Sequence, residues 1–237
     1  MGWRGGPVAE TTRRGGGVTA RALPRPVAAV ADLVQLTKPR LSGLVLFTTA
    51  GAFLLAPGAP DLARLAWTLL GTWLTVASSH ALNMFAERDI DALMERTRNR
   101  PLPGGRLAPE VALWFGVVLG AAGIPLLATT VNPLTAGLAA LALGLYVLVY
   151  TPLKRRAPVA LYVGAIPGAV PPVLGWAAAT GEVGPESLAL FLLLFVWQVP
   201  HFLGLSLLLA EEYEGAGVRV LSVVAGDDAT RRATRIG

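Results

Sequence analysis

Apolar residues run along this chain in long blocks with little polar interruption. Six blocks stand out: Leu41–Pro57, Leu62–Phe85, Val111–Thr129, Pro133–Tyr150, Val159–Gly181 and Leu188–Ala210. A bilayer core asks for roughly 17–25 apolar residues per helix, and backbone in lipid is satisfied only within a helix or a closed barrel. The blocks carry no polar stripe at period 3.6, the mark of a helix half-exposed to water. The pattern therefore predicts an all-α fold, a polytopic transmembrane helical bundle of about six spans. Residues 1–36 are rich in Gly, Arg, Pro and Ala and predict a disordered basic tail. A membrane domain is expected over residues 37–226, and a polar basic tail over 227–237.

Charge placement tests the span count. All but Arg64 of the 20 Lys and Arg lie before the first block, between the second and third, between the fourth and fifth, or after the sixth. A miscounted span would scramble that alternation. Basic loops face the cytoplasm, so the chain is expected in the cell inner membrane with its N-terminus cytoplasmic. Arg13-Arg14 is not followed closely by an apolar run, so a cleaved export signal is not expected.

Composition sharpens the picture. Of the 237 residues 54% are hydrophobic and 15% charged, against about 25% charged in soluble domains. The net charge of +5 would point to nucleic acid in a soluble protein. Here it belongs to loops that meet an anionic lipid surface, and no nucleic-acid partner is expected. The absence of Cys excludes disulfides and thiolate chemistry, and two His cannot build a zinc cage.

The second block runs out into Asn83-Met84-Phe85-Ala86-Glu87-Arg88-Asp89-Ile90-Asp91. Asn83, Glu87 and Asp91 recur every four residues and share one helix face. Oxygen ligands at a membrane boundary suit Mg²⁺, which takes one or two carboxylates and completes its shell with water and substrate phosphate. Asp89 points elsewhere, toward a second ion or an arginine. Arg88, Arg98, Arg100 and Arg106 follow, interleaved with Pro and Gly. Carboxylates, an ion and guanidinium forks together answer a diphosphate. A solvated helix end with i,i+4 charge pairs is the plainer reading of the same residues.

Glu211-Glu212-Tyr213-Glu214 closes the sixth block and offers a second metal face, or a charged helix end. Tyr150 and Lys154 sit four apart, although Pro152 argues against regular helix between them. Lys154 and Arg155 are further candidates for phosphate. His201, after Pro200 in the sixth block, and His80, one turn before Asn83, are polar residues where membrane helices rarely place them.

These residues resemble the UbiA-type intramembrane prenyltransferase family. The likeness rests on Asn83-xxx-Glu87-xxx-Asp91 and Tyr150-xxx-Lys154, and is nearest to the haem O synthase branch. That branch is similar in Leu36-Thr37-Lys38-Pro39-Arg40, in the run from Asn83 to Arg106, and in Gly164-Ala165-Ile166-Pro167-Gly168-Ala169. It is similar again in Gly175-Trp176, Trp197-Gln198 and Pro200-His201-Phe202, and in all over about residues 33–226. The chain departs from it at Glu212, where the family has Asp, and at Arg219-Val220 and Leu221-Ser222, where Pro-Met and Leu-Pro are usual. The family continues into about three more helices, so about six of its nine usual spans are expected here.

The resemblance implies farnesyl transfer from farnesyl diphosphate to the vinyl group of haem b, giving haem O and pyrophosphate, with Mg²⁺ as the cofactor. It implies catalytic roles for Asn83, Glu87, Asp91, Asp89 and Tyr150, and metal binding by Asn83, Glu87, Asp91, Glu211 and Glu212. Diphosphate would be held by Arg88, Arg98, Arg100, Arg106, Lys154 and Arg155. His201 and His80 would position the haem. Haem A synthase or terminal-oxidase assembly would be the downstream partners. The rival expectations are a family member acting on a quinone or chlorophyll precursor, an inactive truncated relative, and a non-enzymatic membrane protein.

Overall fold

A computed structural model describes residues 26–236. Its elements are α1 (Pro26–Leu36), α2 (Pro39–Leu55), α3 (Leu62–Asp91), α4 (Pro109–Thr130), α5 (Pro133–Gly144), a π-helix (Leu145–Tyr150), α6 (Thr151–Leu153), α7 (Ala160–Thr180), α8 (Pro185–Leu208), α9 (Ala210–Gly215) and α10 (Leu221–Ile236). No strand occurs among the described residues. The six apolar blocks map onto α2, α3, α4, the α5–α6 stretch, α7 and α8.

Four of these six are long and apolar enough to cross a bilayer: α4, Pro133–Leu153, α7 and α8. The 17 residues of α2 are apolar but short. The 30 residues of α3 overshoot a span, because its last turns carry the polar run from Asn83 to Asp91. Apolar side chains face outward, as a lipid solvent requires: Phe47, Leu148 and Leu208 are 74%, 75% and 83% exposed. The chain is a multi-pass membrane protein.

Of the expected tail over residues 1–36, residues 1–25 lie outside the described residues. Residues 26–36 form α1, which is pinned rather than loose: buried Asp32 accepts from Arg106 Nε at 2.8 Å, and Leu36 is fully buried. Over the expected polar tail, residues 227–236 continue α10. That helix packs on α8, where the Ser222 hydroxyl donates to the Ser206 carbonyl at 2.8 Å.

Inside the bundle the packing residues are small, since close backbone approach replaces the hydrophobic drive that lipid removes. α3 packs most extensively on α4, α4 on α5, and α5 on α7. α7 is central, touching α2 on one side and α8 on the other. Gly116, Gly120 and Gly123 on α4 lie against Leu82, Ser78 and Leu74 of α3, and the Ser78 hydroxyl donates to the Gly116 carbonyl at 2.7 Å. Gly175 on α7 meets the Thr49 carbonyl so closely that a Cβ there would sit 2.0 Å from it. Pro167, Pro171 and Pro172 lie inside α7 and are all buried, tolerated because neighbouring helices pack around the freed backbone groups. α8 runs uninterrupted through Pro200.

Pro152 does not break the helix it follows. The six residues Leu145–Tyr150 are wound as π-helix. The Thr151 N–H reaches back five residues to the Tyr146 carbonyl, and its hydroxyl donates to the same oxygen at 2.8 Å. The wider winding makes room for the ring of Pro152 one residue later, and helix resumes as Lys154 N–H donates to the Tyr150 carbonyl.

Candidate active site

α3 stays helical past the bilayer boundary, so Asn83, Glu87 and Asp91 fall in one row, and all three are buried. Each meets a cation from a different part of the chain. Lys38 Nζ lies 3.4 Å from Asn83 Oδ1, Lys154 Nζ 3.3 Å from Glu87, and Arg100 donates to Asp91 Oδ2 at 2.7 Å. The Asn83 amide also donates to the Thr151 hydroxyl at 3.2 Å. Glu87 Oε1 accepts no hydrogen bond. Two carboxylates against three cations leave the cluster positive, the balance an incoming diphosphate needs.

Burial, and then the Arg100 guanidinium, pull the Lys38 ammonium down to about 8, against the attraction of Glu87. Burial also acts against the Lys154 ammonium, but Glu87, Tyr150 and Tyr213 beside it outweigh burial and hold it above the usual lysine range. The backbone of Lys38 is left-handed, φ 46 and ψ 67, immediately before Pro39 opens α2. Such strain in a non-glycine residue clusters at functional sites. It turns the side chain of Lys38 inward onto Asn83. The sequence reading quoted Lys38 in a motif but assigned it no role. A pairing across 45 residues leaves no mark in spacing.

Lys154 joins this cluster to a cavity of about 720 Å³ between α2, α3, α5, α7 and α8, a size usual for small-molecule sites. Its walls are overwhelmingly aliphatic, with Tyr146, Tyr150, His80, Trp197, His201 and Tyr213 among the polar or aromatic members. The Tyr150 ring lies against Gly164 of α7, where a Cβ would come within 2.5 Å of it. His80 is 6% exposed, with neither ring nitrogen hydrogen-bonded, and meets Tyr146 edge-on. His201 is exposed and stacks on Trp197 at 5.0 Å.

Other expected residues lie apart from the row. Asp89 turns outward and takes both terminal nitrogens of Arg155, at 2.5 and 2.8 Å. Arg155 holds the Asp89 carboxyl below the usual range, and Asp89 raises the guanidinium in return. Arg106 clamps α1 through Asp32 and Gln35 and also holds the Asn99 carbonyl. Arg98 pairs with Glu95 at the surface. Arg88 folds back onto the Phe85 carbonyl and ring. Glu211 is exposed, while Glu212 is partly buried with an unpartnered Oε2. Among the described residues no three His, Asp or Glu come together closely enough to hold an ion. Asn83, Glu87 and Asp91 are instead two carboxylates and an amide oxygen, which suits Mg²⁺ sharing its shell with phosphate.

The exposed pair yields a modest expectation. A carboxyl depressed in the fold contributes above its unfolded value and is lost as pH falls through the folded one. Near neutral pH the Asp89–Arg155 contact is therefore fully formed. Asp89→Asn should cost no more than ~1 kcal/mol, as exposed pairs do, and leave substrate KM unchanged in a steady-state assay. A large KM rise would place Asp89 on the substrate.

The sequence profile of the UbiA prenyltransferase family matches residues 44–236. The chain is 54% identical over 212 residues to a protoheme IX farnesyltransferase of Anaeromyxobacter dehalogenans (strain 2CP-C), covering 90% of this chain and 72% of that one. It is 49% identical over 214 residues to a protein of the same name from Myxococcus xanthus (strain DK1622), with the same coverage. Among solved structures, a UbiA homolog from Archaeoglobus fulgidus bound to DMAPP and Mg²⁺ superposes with a TM-score of 0.70 at 20% identity. The match covers 86% of this chain and 73% of that one. At that identity the likeness is one of fold.

Proposed function

The chain belongs to the UbiA prenyltransferase family, and on that premise we propose that it transfers the farnesyl group of farnesyl diphosphate to a vinyl group of haem b, giving haem O and pyrophosphate. The observation that carries this reading is the buried row of Asn83, Glu87 and Asp91, each with its own cation, joined through Lys154 to an aliphatic cavity. One end suits a diphosphate and the other an isoprenoid.

Lys38, Arg100 and Lys154 donate N–H groups to the phosphate oxygens. Arg98, Arg106 and Arg155 are committed to other partners, which leaves these three as the cations of the row. The allylic C–O bond breaks, its electron pair leaves with pyrophosphate, and fixed cations stabilise the charge that develops there. Asn83, Glu87 and Asp91, with Glu211 and Glu212, would hold Mg²⁺, which when bound supplies further neutralisation of the leaving group. The aliphatic walls take the farnesyl chain and keep water from the cation, with Tyr150 placed near the reacting carbon. The terminal vinyl carbon of haem b forms the new C–C bond. The carbocation left beside the porphyrin takes a water and loses a proton, giving the hydroxyethylfarnesyl side chain. His201 and His80 line the same cavity and position the haem.

The basic loops place the N-terminus and the site on the cytoplasmic side of the inner membrane. Haem A synthase or a terminal oxidase under assembly would take up the product. The test is purified chain in lipid vesicles with haem b, farnesyl diphosphate and Mg²⁺, read by mass spectrometry. Farnesylated, hydrated haem supports the reading. A prenylated quinone precursor formed in preference would replace haem as the acceptor.

A further inference from the structure

The cavity wall holds two cationic side chains, Lys154 and Arg219. Lys154 is committed to Glu87. Arg219 forms no ion pair with any described residue, and it stands in the turn between α9 and α10. That turn is fixed on both sides. Gly217 takes φ 68, the left-handed conformation glycine allows, and Val218 is fully buried against Ile90, Met94 and Tyr213. The Val218 N–H donates to the Tyr213 carbonyl at 2.8 Å. With Val218 anchored inward, the next residue is carried to the cavity edge, where Arg219 is exposed.

An unpaired guanidinium at the rim of an apolar cavity is a receptor for an anion on the occupant. Haem b is amphiphilic in the matching way: one edge carries vinyl groups and the opposite edge two propionate carboxylates. Taking a carboxylate out of water without a partner is costly, so the propionate edge stays at the boundary while a vinyl edge goes inward. We propose that Arg219 is the specificity residue for the acceptor, binding a propionate carboxylate through a two-point guanidinium contact and so directing a vinyl group toward the diphosphate end. This rests on haem b being the acceptor.

The test measures binding before turnover. Haem b and its dimethyl ester, whose propionates are neutral, are each titrated into the full chain in lipid by quenching of tryptophan fluorescence. Wild type should bind haem b about 10-fold or more tightly than the diester, the size of one charge-assisted contact. Arg219→Gln should weaken haem b to the level of the diester and leave the diester unchanged, and Arg219→Lys should restore part of the difference. Equal affinities in wild type, or an Arg219→Gln loss that falls on both porphyrins alike, overturn the assignment. A rise in KM for farnesyl diphosphate with haem discrimination intact moves Arg219 to the diphosphate instead. Porphyrin discrimination that depends on Arg219, in a chain that makes no farnesylated haem, would sink the reaction and keep the anion site.

Discussion

Replacing Asp91 with Ala should abolish farnesylated haem, with turnover falling about 10²–10³-fold or more, the scale on which removing one charge-stabilising group acts. Asp91 is 1% exposed and 2.7 Å from Arg100. Its backbone carbonyl, which accepts from the Thr97 hydroxyl, is untouched by the change. Removing one partner of a buried pair costs up to about 3–5 kcal/mol, and less here because the Arg100 side chain is 26% exposed and can turn to water. Asp91→Asn preserves volume and controls for that cost. Both variants are read by product mass spectrometry beside far-UV circular dichroism. A folded, active Asp91→Ala chain would remove this carboxylate from the mechanism.

Lys154→Met should produce two separable losses. Glu87 is 5% exposed and depends on Lys154 for its charge partner, so the variant is expected to melt lower. It should also lose about 10²-fold or more in kcat, because the same ammonium answers the leaving pyrophosphate. The double variant Glu87→Gln/Lys154→Met removes the stranded carboxylate and should recover stability without recovering turnover. The coupling between the two sites is read from that cycle. If Lys154→Met keeps its turnover, the lysine serves only to neutralise Glu87.

Much of this architecture was legible in the residues. Apolar blocks and the alternation of basic loops place the spans, and the four-residue recurrence of Asn83, Glu87 and Asp91 places one face of a helix. These signals are local, or repeat along one element. What spacing could not carry is which cation meets which acid. Lys38 reaches Asn83 across 45 residues, and Arg106 reaches back 74 to Asp32. Arg106 looks like a phosphate ligand in the sequence because it follows the acidic run, and the fold uses it to fasten α1. The tail over residues 1–36 reads as uniformly basic and flexible. Yet Asp32 and Leu36 give its last turns something to bury, and only the partner loop reveals it. Pro152 signalled a break because a proline rule assumes α-helix before it.

The π-helical stretch carries a consequence for how this site can change over time. An α-helix turns about 100° per residue, and the wider winding over Leu145–Tyr150 absorbs a surplus of chain without ending the helix. Side chains there can be exchanged freely as long as the length is kept. Loss of a single residue would restore ordinary winding and swing Tyr150 and Lys154 together off the face that meets the cavity and Glu87. Along this segment the reading frame of the helix, more than the identity of its residues, is under constraint: drift by substitution is tolerated, and drift by insertion or deletion disconnects the charged end of the site from the greasy one.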